Sequence, residues 1–288
     1  MTSRPTDAVH VVGASGRSGA ALCRALSRLD IPVVPVVRDA ARWQATGLDG
    51  SSRVADLTGP AGTLRAALAD ATRVVSTAHA RHVPALLAAM PPGATLVCLG
   101  STRKFTRWPD DHGNGVLAGE AALLRSGRDG VILHPTMIYG AQGENNVQRL
   151  AALLRRLPVT PLPGGGRTLV QPVHQDDVTS SLVAALRRPW HGPHALVIAG
   201  ATRLTYRDFA ATVARHAGLR PRPVLAVPAG AMMAAAAIAR WIPGLPSVGP
   251  AEIRRLLEDK AFDIGDMERE LGIVPIPLEE GLSRLFPK

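Results

Sequence analysis

A chain of 288 residues that is 46% hydrophobic and 19% charged has the length for one large or two modest domains and the composition of an ordinary globular protein. The net charge of +10 raises nucleic acid as a partner, but the basic residues are mostly scattered arginines and aromatics are only 3%, which leaves no stacking platform for bases. No apolar run reaches the roughly 18 residues of a membrane-spanning helix, no secretory leader pattern is present, and Cys23 and Cys98 both lie in apolar segments, so a cytoplasmic protein without disulfides is expected.

In chain order, short apolar runs alternate with helical patterns, the signature of a parallel sheet with crossover helices. Strands are predicted at 8–12, 32–37, 53–55, 73–77, 95–99 and 130–134, and helices at 19–29, 61–68, 83–90 and 117–126. Beyond about Gly140 the rhythm changes. A basic helix at 145–157 precedes the turn-rich PLPGGGR and the strand-like LVQPVH. Asp176 or Asp177 then caps a helix reaching Leu186. A short strand at 196–199 and a helix at 205–217 follow. The segment 229–246 contains an apolar helix with almost no polar face, read as buried at a domain or subunit interface, with a peripheral membrane contact or protein docking through 229–242 as the alternative. The resulting division is a nucleotide-binding domain over 1–140 and a smaller substrate-binding part over 141–288, with about 170–190 returning to the first domain.

The stretch VVGASGRSGAAL sets Gly13, Gly16 and Gly19 three apart, directly after a strand and at the opening of a helix. Glycines there allow a tight turn and a close backbone approach to a pyrophosphate, and the helix N-terminus supplies N–H donors and partial positive charge. Ser15 and Ser18 add hydroxyl donors. An NAD site places an acid at the end of the second strand to accept the ribose hydroxyls. This chain reads VVRD there, with Arg38 before Asp39, and Arg17 lies in the loop. Two guanidinium groups suit a 2′-phosphate, so NADP(H) is favoured over NAD(H). The alternative leaves Arg38 solvated and turns Asp39 inward.

With the loop, Arg38, VADL and VVSTAHA in hand, the chain resembles the short-chain dehydrogenase/reductase superfamily. HPTMIYG, LVQPVHQDDV and LTYRDF look like its extended or atypical branch, the NAD-dependent epimerase/dehydratase-like proteins. The resemblance spans nearly the whole chain. It implies a doubly wound Rossmann sheet with a smaller C-terminal α/β substrate domain. It further implies Asp56 and Leu57 near the adenine, Thr77 and Ala78 along the cofactor, Pro135 beside the nicotinamide, and a homodimer. His174 and Asp177 match a strand–helix junction of mainly structural role.

The family's Tyr-x-x-x-Lys pair, in which the lysine lowers the phenol pKa for proton exchange, is missing. Only Tyr139 and Tyr206 exist, and Gly143 and Ala210 stand four residues beyond them. In HGNGVLAGEAALL, His112 falls at the tyrosine position and Val116 at the lysine position, while Ser101 matches the family serine. Ser101 and His112 are therefore the catalytic candidates, His112 being alternatively an inert loop residue beside two glycines. Lys104 reads as a solvated loop lysine, the alternative being a substitute charge that swings toward the site. His79 and His82 lack the companions of a metal site. Arg149, Arg155, Arg156 and Arg167 are candidates to line a cleft for an anionic small-molecule substrate. Two functions stay open: an NADP-dependent oxidoreductase or epimerase-like enzyme without the usual pair, and a non-catalytic NADP(H)-binding sensor or assembly subunit.

Overall fold

Runs such as VVPVV and TLVCL are apolar on both faces, as strands covered by helices on either side must be. The computed structural model describes residues 8–140, 146–239 and 249–287. Its strands are β1 (Val9–Val12), β2 (Val33–Val37), β3 (Arg53–Val54), β4 (Arg73–Ser76), β5 (Thr95–Leu99), β6 (Gly130–Pro135), β7 (Ile138–Tyr139), β8 (Thr160–Pro163), β9 (Leu169–Val170), β10 (Val173–His174), β11 (Pro193–Ile198), β12 (Leu204–Thr205) and β13 (Val224–Val227). The helices are α1 (Arg17–Arg28), α2 (Ala40–Gln44), α3 (Ala61–Ala67), α4 (Val83–Ala89), α5 (Asp111–Ser126), α6 (Asn146–Arg156), α7 (Gln175–Arg187), α8 (Tyr206–His216), α9 (Ala229–Ala239), α10 (Pro250–Arg255), α11 (Gly265–Leu271) and α12 (Leu278–Leu285).

Seven parallel strands form one sheet in the order β11-β6-β5-β4-β1-β2-β3. The chain winds outward through β2 and β3, then returns to β4 on the other side of β1. That reversal leaves a crevice at the C-terminal ends of β1 and β4, where ligands of open α/β sheets bind. Period-two alternation splits the core. Val11, Val75, Val97 and Val131 face α1, α7 and α11 in one cluster, and Val74, Leu96 and Ile132 face α3, α4 and α5 in another. The expected doubly wound Rossmann sheet is present.

The later part of the chain is interleaved with this sheet. α7 packs on α1, and β11 pairs in register with β6 from Pro193↔Gly130 to Ile198↔Pro135. A third core of Tyr139, Val147, Phe209, Val213, Leu278 and Leu282 joins α6, α8 and α12. Two-stranded pairs β7–β10, β9–β12 and β8–β13 complete this part. In α9, residues 229–236 are half-buried or exposed within the single chain, and the helix packs against α10. The rest of the segment, 240–246, lies outside the described residues, as does the first position of the predicted 145–157 helix.

Candidate active site

At the switch point, Gly13 takes φ +81, and a Cβ there would stand 3.0 Å from Thr77 Oγ1, so the β1–α1 turn and the end of β4 touch through the missing side chain. A Cβ on Gly19 would lie 2.2 Å from the Gly13 carbonyl oxygen, which is why α1 can start directly beneath the turn. Thr77 fastens the two strand ends, its hydroxyl reaching the carbonyl oxygens of Val12 and Gly13, both at 3.2 Å.

Above this turn lies a cleft of about 350 Å³. Gly13, Ser15, Gly16, Arg38, Asp56, Leu57, Thr77 and Ala78 line it, together with Asp39, Arg42, His79 and His82. Asp39 accepts from the N–H groups of Ala41 at 2.9 Å and Arg42 at 3.4 Å, capping α2. Both bonds engage Oδ1, and Arg38 and Arg42 border the cleft beside it. Asp56 forms a tight turn, accepting from Thr58 N–H and hydroxyl at 2.8 Å each, and those two bonds hold its carboxyl below the usual range.

Three further cofactor candidates, Arg17, Ser18 and Pro135, do not border this cleft. Arg17 is exposed on the first turn of α1 and does not border the cleft; Arg42 is the second arginine there. Ser18 donates its hydroxyl to Gln175 Oε1 at 3.0 Å, committing that proton to the α1–α7 contact. Pro135 ends β6 buried, its carbonyl accepting from the Thr102 hydroxyl at 3.1 Å. Arg42 escaped sequence reading because α2, five residues long, has no legible periodicity.

A second cavity, also about 350 Å³, opens at the ends of β5 and β6. Ser101 and Thr136 stand on its wall with Arg103, Arg149, Arg255 and Lys260. Ser101 caps the helical turn Thr102–Phe105, its Oγ accepting from Arg103 N–H at 3.2 Å, which leaves its hydroxyl proton for another acceptor. Of the four sequence-selected arginines, Arg149 alone borders this cavity; Arg155, Arg156 and Arg167 are exposed outside it.

Beneath Ser101 is a buried cluster that local sequence does not reveal. Ser101 N–H donates to His134 Nδ1 at 3.2 Å, which assigns the ring proton to Nε2, 2.7 Å from the Glu120 carboxylate. The same carboxylate pairs with Lys104. Lys104 is only 10% exposed, so the expected solvated loop lysine is instead an inward-turned partner of α5. Burial, then the Lys104 charge, holds His134 below the ordinary histidine value, so it is neutral at pH 7.

His112 sits on the first turn of α5, not in a loop, because Asp110 caps the helix through Gly113 N–H at 2.8 Å. Its ring meets His79 edge-on with centroids 4.3 Å apart. Both histidines are pushed down by burial, His79 to about 4, so both are neutral imidazoles. His79 Nδ1 accepts from Arg81 N–H and Nε–H at 3.1 and 3.2 Å. His112 borders neither the Ser101 cavity nor, unlike His79, the glycine-loop cleft. Val116, at the family lysine position, is 1% exposed in the core and presents no charge. His174 caps α7 by accepting from Asp176 N–H at 3.2 Å, and Asp177 is buried, accepting from Ile276 N–H at 3.0 Å; both serve structure.

No family model matches the chain. A protein of Sinorhizobium fredii described as uncharacterized, y4nG, is 31% identical over 171 residues, which are 58% of this chain and 42% of that one, so the match spans less than half of the relative. Among solved structures, an NADPH-dependent quinone oxidoreductase of Escherichia coli, complexed with NADPH, superposes with a TM-score of 0.76 at 20% identity, covering 96% of this chain and 99% of that one. A UDP-glucuronic acid 4-epimerase of Bacillus cereus gives 0.70 at 16% identity, covering 97% and 98%. A UDP-glucose 4-epimerase of Thermotoga maritima gives 0.71 at 14%, covering 97% of each chain. This chain shares their fold.

Proposed function

We propose that the chain binds NADP(H) in the switch-point cleft and serves as an oxidoreductase or epimerase-like enzyme on a small molecule held in the adjoining cavity. One observation carries the cofactor choice. The acid at the end of β2, where an NAD site would present a ribose acceptor, has its Oδ1 engaged in capping α2, and two arginines border the cleft on either side of it. The turn fits the group, since Gly13 and Gly19 let it close tightly on Thr77 and α1 while Gly13, Ser15 and Gly16 border the cleft at the opening of α1, where helix N–H groups favour a pyrophosphate. The NADPH complex of the Escherichia coli structural neighbour supports the same choice.

Bound NADP(H) would supply or accept a hydride. The residues of this chain would bind and orient the substrate. Ser101 has a hydroxyl proton to donate to a substrate oxygen, and the His134–Glu120–Lys104 cluster holds its backbone in place. Neutral His112 is the second proton-handling candidate, reaching the cofactor side through His79.

Titration with NADPH and NADH tests the reading. The native protein should prefer NADPH, and Arg38→Glu with Arg42→Glu should cost that preference at least about ten- to hundredfold, the worth of one charge-assisted bond at roughly 1.5–3 kcal/mol. NADH affinity should hardly move. Equal affinity for the two nucleotides in the native protein would refute the assignment.

A further inference from the structure

We propose that the cavity bordered by Ser101 is an anion site that takes a small molecule bearing a carboxylate or phosphate. The inference names the substrate class for the cavity proposed above and rests on that reading. Four cations converge on the cavity from separate parts of the chain: Arg103 after β5, Arg149 on α6, Arg255 at the end of α10, and Lys260, whose backbone bridges to Val170 of β9. Glu252 is the one carboxylate among the described lining residues.

The nearby acids do not consume these charges equally. Arg103 is bound by Asp110, its Nε donating at 2.8 Å. The Arg255–Glu252 and Lys260–Glu258 ion pairs are looser, both at 3.7 Å, and each cation carries further N–H donors besides the one turned to its carboxylate. Glu258 is itself committed through Oε1 to the Thr106 hydroxyl at 2.8 Å and Arg107 N–H at 2.6 Å. Burial lowers the Lys260 pKa; the Glu258 carboxylate offsets this in part, and the neighbouring Arg255 and Arg103 charges add to the lowering. Like charges gathered in a partly enclosed space cost free energy that an anion would return.

Two of the neutral polar lining groups, Thr136 and Gln171, are committed elsewhere. Thr136 donates to the Gln171 carbonyl at 2.5 Å, and the Gln171 amide is tied to Gly200 and Phe262 at 2.7 and 2.8 Å. Besides the cations, Ser101 keeps a donor, and Met137, Leu150, Leu153 and Leu256 give an apolar wall. A volume of about 350 Å³ lies at the small end of ligand cavities, which run about 300–1,000 Å³. The occupant is therefore a compact anion with a short apolar body.

The test is a thermal-shift and saturation-transfer NMR titration at constant ionic strength, with NADPH saturating so that the glycine loop is filled. The probes are inorganic phosphate, pyruvate and the neutral pyruvamide. Phosphate or pyruvate should bind and pyruvamide should not; which anion binds more tightly separates the phosphate from the carboxylate source. Arg255→Gln and Lys260→Met should each weaken the anion about tenfold. Arg155→Gln, on the exposed end of α6, should leave it unchanged. Anions behaving like pyruvamide, or losing equally in Arg155→Gln, would overturn the proposal. Failure of the cofactor reading would show separately, as absent NADPH saturation. The anion titration is then repeated on the protein alone: a loss in Arg255→Gln but not in Arg155→Gln supports the anion site, and equal behaviour of the two variants overturns it.

Discussion

Lys104–Glu120 and Arg284–Glu280 are both cation–carboxylate pairs, and burial decides how differently they matter. The first pair is 10% and 17% exposed, the second 47% and 55%. Surface pairs are worth little, whereas removing one partner of a buried pair strands a charge at about 3–5 kcal/mol. Glu120→Ala should therefore lower urea-unfolding stability by about that amount, and Glu280→Ala only slightly. Similar losses for both would remove the case for a buried cluster under Ser101. At this scale the glycine loop, Arg38 and Ser101 were legible because backbone conformation and strand-end position follow from local sequence. The partners of Lys104 were not, since Glu120 is 16 positions away and His134 another 14, and only the fold brings them together. Arg42 was hidden for a related reason, the brevity of α2.

Helix α5 shows how tertiary contact overrides propensity. Gly113, Gly115 and Gly119 argue locally against a helix, and the pattern was legible only from Leu117 onward. Each glycine nevertheless faces a neighbour. A Cβ on Gly113 would meet the Arg103 carbonyl oxygen at 2.9 Å, on Gly115 His79 Cε1 at 2.9 Å, and on Gly119 the Ala80 carbonyl oxygen at 2.0 Å. The glycines let the segments after β4 and β5 lie against α5, and so place His79 beside His112. Gly→Ala in an exposed helix gains about 1 kcal/mol. At Gly119 the sign should reverse, with a loss of roughly 1–3 kcal/mol from forced separation of the two backbones. Chemical denaturation of Gly119→Ala reads the sign, and a stabilised variant would contradict the packing described. The long sheet strands were readable because they are continuous in Val, Ile and Leu. The two-residue strands β7, β9, β10 and β12 carry no period to read.

For the whole molecule, histidine burial sets the response to acid. His10, His79, His82, His112, His134 and His174 all lie below the ordinary histidine value, with burial the first cause in each. Below about pH 6.5 the unfolded chain therefore binds more protons than the folded one, and stability rises with pH through that range. Asp177, pushed up to about 6 by burial, acts oppositely: its contribution is present in acid and lost as pH rises through its folded-state value. One carboxyl against six imidazoles leaves the histidines dominant, so Tm should fall steadily from pH 7 to pH 5. A flat or rising Tm over that interval would mean that these rings are solvated in the folded protein.

In the proposed function, the sheet reversal at β1 and β4 and the cavity at the ends of β5 and β6 form one ligand path, along which the dinucleotide would cross from Arg38 toward Ser101. The most direct test is a crystal structure with NADPH, read at the nicotinamide C4. The account predicts C4 facing the open cavity bordered by Ser101, with room for a substrate atom at the near-attack distance of about 3–3.5 Å. A C4 face sealed by apolar side chains, or a nucleotide bound away from the glycine loop, would contradict it and favour a protein that holds its cofactor without using it.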